Sequence, residues 1–277
     1  MNAKLISEKL VARGLKLFDA PKQLDKVKFT HVPEADVLLK DLEKHPHAFV
    51  LACVMDRQIK AERAWVIPYR FSQNLGGFSI EKLKELSLPD VYRIMSQPEP
   101  LHRFVDTMSK YFYSAIQRIS NKYSDDASRI WAGNPSSAEV VFRFLEFDGV
   151  GPKIATITAN ILARDFKIPF ADHFSIDISA DVHICRVFAR LELSATDASV
   201  EQIIYKARAL YPNFPGIMDL PCWEIGRNYC KASNPDCGAC YMNDLCPTAI
   251  PKGLQSFSPV LRGTSYAGTV SQTDHQP

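Results

Sequence analysis

Two stretches of this chain combine residue types and spacing that can do chemistry. The first is Leu145-Glu-Phe-Asp-Gly-Val-Gly-Pro-Lys-Ile-Ala-Thr-Ile-Thr-Ala-Asn-Ile-Leu162, where an apolar helix end runs into Asp148-Gly149-Val150-Gly151 and a second helix opens at Pro152-Lys153. Two glycines two apart suit a turn with unusual backbone angles and close approach to a ligand. Pro152 fits the first helical position, where its missing N–H costs nothing. The free N–H groups at that helix start form a cradle for phosphate, and the lysine beside them can serve as nucleophile or as cation. An ordinary helix turn with a solvated lysine has the same local sequence. The second stretch is Cys230-x6-Cys237-x2-Cys240-x5-Cys246. Thiolates at such spacing can hold a [4Fe–4S] cluster or a tetrahedral zinc ion. A single C-x2-C pair with no histidine tips the choice toward iron–sulfur.

The remaining composition limits what these groups can belong to. The chain has 277 residues, 46% of them hydrophobic and 23% charged, which is enough for one large or two modest globular domains. A formal charge of +2 neither requires nor excludes a polyanionic partner, so a nucleic-acid face has to be a local patch. No apolar run approaches the ~20 residues of a membrane span. The N-terminal residues 1–10 lack the unbroken apolar core of a secretory signal. A cytoplasmic protein is expected, and in that reducing setting clustered cysteines point to metal rather than disulfides. Cys53, Cys185 and Cys222 lie on apolar helix patterns and are expected in the core, as are Trp65, Trp131 and Trp223.

The elements that must position these groups read as helices throughout. Apolar residues recur at helical spacing over residues 3–18, 35–44, 47–57, 60–71, 79–86, 89–96, 101–123, 137–146, 152–164, 181–192, 199–210 and 216–229. Their ends are marked by Pro46, Gly76-Gly77, Pro89, Pro98, Pro100, Gly133 and Pro135, with Ser79, Ser136 and Ser137 as candidate N-caps. Residues 165–180 read as a long irregular loop, and the Ser-, Thr-, Gly- and Gln-rich residues 251–277 as a disordered tail. The expected fold class is all-α. The expected organisation is an N-terminal helix and linker (1–34) packing on a cluster domain, a helical barrel domain (35–164), and a second helical domain with the cysteine loop (165–250).

The hairpin and the cysteine array together resemble the endonuclease III branch of the helix–hairpin–helix DNA glycosylases. That family's hairpin, roughly Leu-Pro-Gly-Val-Gly-x-Lys-Thr-Ala, stands here as Phe147-Asp-Gly-Val-Gly-Pro-Lys-Ile-Ala155. Its pattern Val-Asp-Thr-His-Ile-x-Arg-Val stands here as Ala180-Asp-Val-His-Ile-Cys-Arg-Val187. All four cysteines match, with Pro235, Gly238 and Gly226-Arg227 around them, and the likeness runs over about residues 35–247. Three departures stand out. Asp148 replaces a proline and puts a negative charge on the hairpin, Val182 replaces a threonine, and residues 165–180 lengthen the path from Lys153 to Asp181. That insertion is expected to bear on the base pocket.

The resemblance implies two helical domains with a DNA-binding cleft between them, a [4Fe–4S] cluster, and a base-excision repair enzyme. Its partner is double-stranded DNA carrying a damaged base or an abasic site, with oxidised pyrimidines favoured. It implies a monomer, associated with the nucleoid in a bacterium. Excision takes the target base out of the stack and builds positive charge on the sugar, which a carboxylate stabilises. Asp181 is the matched carboxylate; the competing reading of Asp181 is a helix cap, and Asp172 and Asp177 are neighbours that lack the pattern. Lys153 matches the residue that attacks C1′, forms a Schiff base and nicks the strand by β-elimination. Burial and the positive helix end are expected to favour its neutral amine. Gln58, beside Arg57 and Lys60, matches the residue that fills the hole left by a flipped base. The amides of Gly149, Gly151 and Lys153 would hold a phosphate, and His183 and Arg186 would position the helix or meet phosphate. The alternatives are a monofunctional glycosylase without lyase activity and a non-catalytic iron–sulfur DNA-binding protein.

Overall fold

The computed structural model describes residues 2–249, so the tail expected at 251–277 lies outside the described residues. Among the described residues every regular element is helical. At the centre is α3 (Pro46–Met55), whose residues are all buried. An apolar helix with no polar face can only be stable when surrounded on all sides. Its neighbours are α2 (Pro33–Lys40), α4 (Ala61–Trp65), α5 (Ile67–Leu75), α8 (Val105–Tyr123) and α10 (Pro152–Arg164). Short α6 (Ile80–Lys84) and α7 (Leu88–Ser96) pack on α8, and α9 (Ser137–Leu145) packs on α10 to complete this part.

The remaining helices gather at the other side of α10. They are α11 (Val182–Arg190), α12 (Val200–Leu210) and α13 (Asp219–Glu224), with a 3-10 turn at Pro215–Met218 and a π turn at Ile225–Tyr229. The N-terminal helix α1 (Asn2–Phe18) packs here, not on the α3 side. Gly14 lies so close to Ile217 that an added Cβ would stand 2.2 Å from its carbonyl oxygen. Arg13 pairs with Glu224 at 3.2 Å and Lys9 with Asp244 at 2.6 Å, tying α1 to the segment that carries the cysteines. Among the described residues no helix is long and apolar enough to cross a membrane.

Four expectations change on contact with the structure. The pattern over 60–71 breaks at Val66, which ends α4 and opens α5, with Pro68 in the first turn of the new helix. Helix α8 starts at Val105 rather than 101, because the buried His102 ring captures the backbone: the Phe104 N–H donates to His102 Nδ1 at 3.1 Å. Of the serines, Ser79 and Ser136 cap α6 and α9, whereas Ser137 lies inside the first turn and donates its hydroxyl to Asp172. Trp223 is only partly buried, with the Arg227 guanidinium 4.8 Å from its ring centroid, and Cys185 is likewise half-buried while Cys53 and Cys222 belong to the core.

The long segment 165–180 follows a definite path. Ala171 N–H donates to Pro135 O at 2.9 Å, and Ser175 N–H to Ser137 Oγ at 3.0 Å, so its first half folds against the start of α9. Its second half runs back along α10, where Gly216 N–H donates to Ile176 O at 2.7 Å and Ser179 N–H to Asp219 Oδ1 at 2.6 Å. Helices α9 and α10 are joined by the glycine hairpin, so the start of α9 and the end of α10 lie together at the opposite end. At 1.5 Å per residue the start of nine-residue α9 is about 14 Å from the hairpin and the end of thirteen-residue α10 about 20 Å. The first half of the segment thus packs at the far end of these helices, and its second half leads to Asp181 at the start of α11. Asp172 and Asp177 are taken up in this packing, Asp177 pairing with Arg208 through contacts of 2.7 and 2.8 Å.

Candidate active site and metal centre

The hairpin is built around Gly149. Its φ of +83° lies in the left-handed region, and a Cβ there would stand 2.5 Å from the Tyr111 ring, so glycine is required on both counts. Arg57 Nη1 donates to Gly149 O at 3.1 Å and the guanidinium lies 6.0 Å from the Tyr111 ring centroid. Arg57, in the turn after α3, thus braces the hairpin. Asp148, the charge that the sequence left unexplained, accepts from Ser114 Oγ at 2.6 Å, which draws its carboxylate toward α8. Gly151 N-caps α10 in an extended conformation with no side-chain cap, and nothing lies within 4 Å of where its Cβ would be. The first N–H groups of α10 are consequently open to an outside acceptor.

Lys153 stands in that first turn and is exposed, so the burial expected for it is not present. Close by is a carboxylate that sequence reasoning passed over. Asp56 ends α3, half-buried, and burial pushes its carboxyl above the usual range, opposed by the neighbouring Trp65 side chain and by the Lys153 charge. Lys153 also acts on the Cys185 thiol, which is pushed up by burial and by Asp181. At the start of α11 Asp181 is an N-cap: its Oδ1 accepts from His183 N–H at 2.8 Å and Ile184 N–H at 2.9 Å. The capping reading is correct as far as it goes, but it uses one oxygen. Oδ2 makes no hydrogen bond among the described residues.

The turn after α3 holds the remaining candidates. Gln58 is exposed with φ +55°, an uncommon conformation for a non-glycine residue, and Lys60 is exposed beside it. His102 clamps this turn. Because its Nδ1 accepts from Phe104, its Nε2 carries the proton and donates to Arg57 O at 3.1 Å. Burial pushes its pKa down, which keeps the ring neutral for that role. His183 and Arg186 face each other, Arg186 Nη2 lying 3.0 Å from His183 Nδ1. Arg186 also donates to Gly226 O at 2.9 Å and Cys230 O at 2.6 Å, so the pair joins α11 to the cysteine loop. Asp56 had a signal in the sequence, a carboxylate directly after an all-apolar helix. His102 had none, since its partner lies 45 residues away.

The four cysteines Cys230, Cys237, Cys240 and Cys246 are unpaired and partly buried around a cavity of about 480 Å3. Thiolates sharing one zinc ion sit ~2.3 Å from it and so within about 4 Å of one another. Among the described residues no three Cys, His, Asp or Glu side chains are close enough to hold a single ion. Arg190 grips both ends of the loop. It donates to Cys230 Sγ at 3.3 Å and Lys231 O at 2.7 Å, while its own carbonyl accepts from Thr248 Oγ1 at 2.8 Å.

Comparison with known structures gives this arrangement its class. It is the helix–hairpin–helix DNA glycosylase fold. Endonuclease III trapped as a covalent intermediate with DNA superposes with a TM-score of 0.57 at 18% identity, over 89% of this chain and 96% of that one. A thermostable thymine-DNA glycosylase gives 0.58 at 13% identity, over 88% and 96%. The 8-oxoguanine glycosylase/lyase of Clostridium acetobutylicum, bound to DNA with cytosine opposite 8-oxoG, gives 0.50 at 17%, over 70% and 67%. Likeness at these identities establishes the fold. The family model of the iron-sulfur binding domain of endonuclease III matches residues 230–246, which are the cysteine loop. In its fold and in its cysteine loop the chain is similar to endonuclease III. No curated protein matches it by sequence.

Proposed function

We propose that this protein is a base-excision DNA glycosylase with AP lyase activity, acting on oxidised pyrimidines in duplex DNA. The observation that carries the reading is the Asp181 carboxylate, with one oxygen accepting from two backbone N–H groups and the other unbonded among the described residues, at the head of α11, while Lys153 stands exposed in the first turn of α10. DNA would lie between the α3 side (35–164) and the α11 side (165–250). The open amides from Gly149 to Lys153 take a phosphate, and exposed Gln58 enters the stack where the target base leaves it. Asp181 Oδ2 stabilises the positive sugar as the C1′–base bond breaks. Lys153 attacks C1′, and the Schiff base so formed allows β-elimination of the strand. In this reading Arg57 acts on DNA through the hairpin it braces, and His183 through the helix start it packs against. Cys230, Cys237, Cys240 and Cys246 hold a [4Fe–4S] cluster, whose chemistry here is to tie the loop together. The protein works as a monomer in the cytoplasm, on the nucleoid if bacterial.

The exposure of Lys153 favours a second reading, a monofunctional glycosylase that leaves an intact abasic site. Strand cleavage over a panel of lesion-bearing duplexes, with and without added alkali, tests both. Cleavage of an oxidised-pyrimidine duplex without alkali is expected. Cleavage only with alkali supports the second reading, and none on any lesion overturns both. Asp181→Asn should slow excision by about 10²–10³-fold. It should leave stability nearly unchanged, because asparagine caps a helix about as well as aspartate.

A further inference from the structure

We propose that Asp219 is a positioning residue for Asp181: from the first turn of α13 it holds, through the Ser179 backbone, the segment that delivers the Asp181 carboxylate to the head of α11. The inference rests on the reading of Asp181 above and adds the group that keeps that carboxylate in place. Asp219 is 5% exposed, and a buried carboxylate is costly unless hydrogen bonds hold it. Its Oδ1 accepts from the buried Ser179 N–H at 2.6 Å.

The segment has few other ties. Ile176 and Ile178 bury their side chains, while Asp177 between them turns the other way to Arg208 at 2.7 Å. Among the described residues, Ser179 N–H is the one backbone donor with an acceptor between Ile176 and Asp181. Beyond it the remaining contact is weak, Cys185 Sγ lying 3.6 Å from Ala180 O. Asp181 comes two residues after Ser179, and its Oδ1 is taken by the His183 and Ile184 amides. Where Oδ2 points is therefore set by how the chain enters the cap. Asp219 fixes that entry.

The same turn of chain reaches α10. Gly216, three residues before Asp219, donates its N–H to Ile176 O at 2.7 Å, and its carbonyl accepts from Asn160 Nδ2 at 2.9 Å. A Cβ on Gly216 would stand 2.7 Å from Ile176 O and 3.1 Å from Asn160 Nδ2, so the contact is closed to larger residues. Asn160 follows Lys153 by seven residues, two helical turns along the same face of α10. Residues 215–219 thus join the helix that carries Lys153 to the segment that carries Asp181. Asn160 is held on one side, Ile176 and Ser179 on the other.

Without the Asp219 acceptor the buried Ser179 N–H has no partner, and the segment must shift until water or another acceptor reaches it. Because the segment ends at Asp181, the shift moves Oδ2. The amides from Gly149 to Lys153 and Gln58, the groups that would meet DNA, belong to other elements and stay in place.

The test compares cluster-loaded wild type, Asp219→Ala, Asp219→Asn, Asp181→Asn and the double variant Asp219→Ala/Asp181→Asn. Single-turnover base excision at saturating protein is measured well below every melting temperature, on the lesion duplex that the wild type cleaves best. DNA affinity and peptide-level amide hydrogen exchange are measured alongside. Asp219→Ala is expected to excise about 10²-fold more slowly, with unchanged DNA affinity, and to exchange faster over residues 176–184 while the α3 peptides keep their rates. Asp219→Asn keeps an oxygen for Ser179 N–H and should restore most of the wild-type rate. In the double variant the Asp219 substitution should add little to the loss from Asp181→Asn, because the carboxylate it positions is gone. Asp219→Leu, which fills the buried space without an acceptor, should repeat the alanine result and covers the case that alanine folds poorly. Losses that multiply in the double variant overturn the positioning role. So does a lowered melting temperature with wild-type excision, or exchange that is unchanged over residues 176–184. A wild type that excises no base overturns instead the glycosylase reading, and the exchange comparison then still decides whether Asp219 holds the Asp181 segment.

Discussion

The surroundings of α3 and the loop that carries the cysteines reach order by opposite means. Every residue of α3 is buried, Phe49 among them, and Phe71, Phe112, Phe144 and Phe147 join the same core from four other parts of the chain. Each such side chain contributes roughly 1.5–3 kcal/mol by leaving water. In the described part of residues 230–249 only Met242 is fully buried, and the backbone is held by isolated turns and by Arg190. That loop cannot order itself by apolar burial. In the proposed reading the iron–sulfur cluster would stand in for a core where the chain is too short and too polar to make one.

Removing the iron should therefore produce the largest and most local effect. Chelated or Cys240→Ser protein is expected to become protease-sensitive between residues 231 and 246 while keeping most of its helical circular dichroism. Limited proteolysis with mass mapping reads this directly. A loop that stays resistant without iron, or an α3 side that unfolds with it, breaks the contrast.

A smaller effect belongs to the α3 side. His47 in its first turn is buried, with Nε2 3.1 Å from Phe78 O, and burial lowers its pKa from 6.5 to about 4. The unfolded histidine takes its proton near 6.5 and the folded one only near 4. The stability is thus intact above pH 6.5 and lost as pH falls through that window, by roughly 3 kcal/mol in total. Urea titrations at pH 7, 5.5 and 4 measure the slope, which His47→Gln should flatten. An unchanged slope in that variant assigns the acid sensitivity elsewhere.

What was legible in the sequence follows the same division. Helices on strong apolar periods, the Gly149 turn and the cysteine spacing could all be read, because each is set by residues near one another in the chain. The breaks at Val66 and at residues 101–104 could not, since the second is made by His102 reaching Arg57. The puzzle of Asp148 resolved through Ser114, 34 residues away, and the bracing role of Arg57 through Gly149, 92 residues away. Asp181 was legible both as a cap and as a candidate charge-stabilising carboxylate; the cap uses Oδ1 and leaves Oδ2 without a partner among the described residues. The exposure of Lys153 was misjudged because a helix start beside an apolar helix looks buried in one dimension, whereas the open side of Gly151 leaves it facing solvent.

The central claim is that Lys153 is the nucleophile of a DNA-cleaving glycosylase. Its most direct test is borohydride reduction of the wild-type protein on an abasic duplex, followed by digestion and mass mapping of the DNA-linked peptide. The account predicts a single adduct on Lys153. No adduct, or one carried by another lysine or by the N-terminal amine, would contradict it.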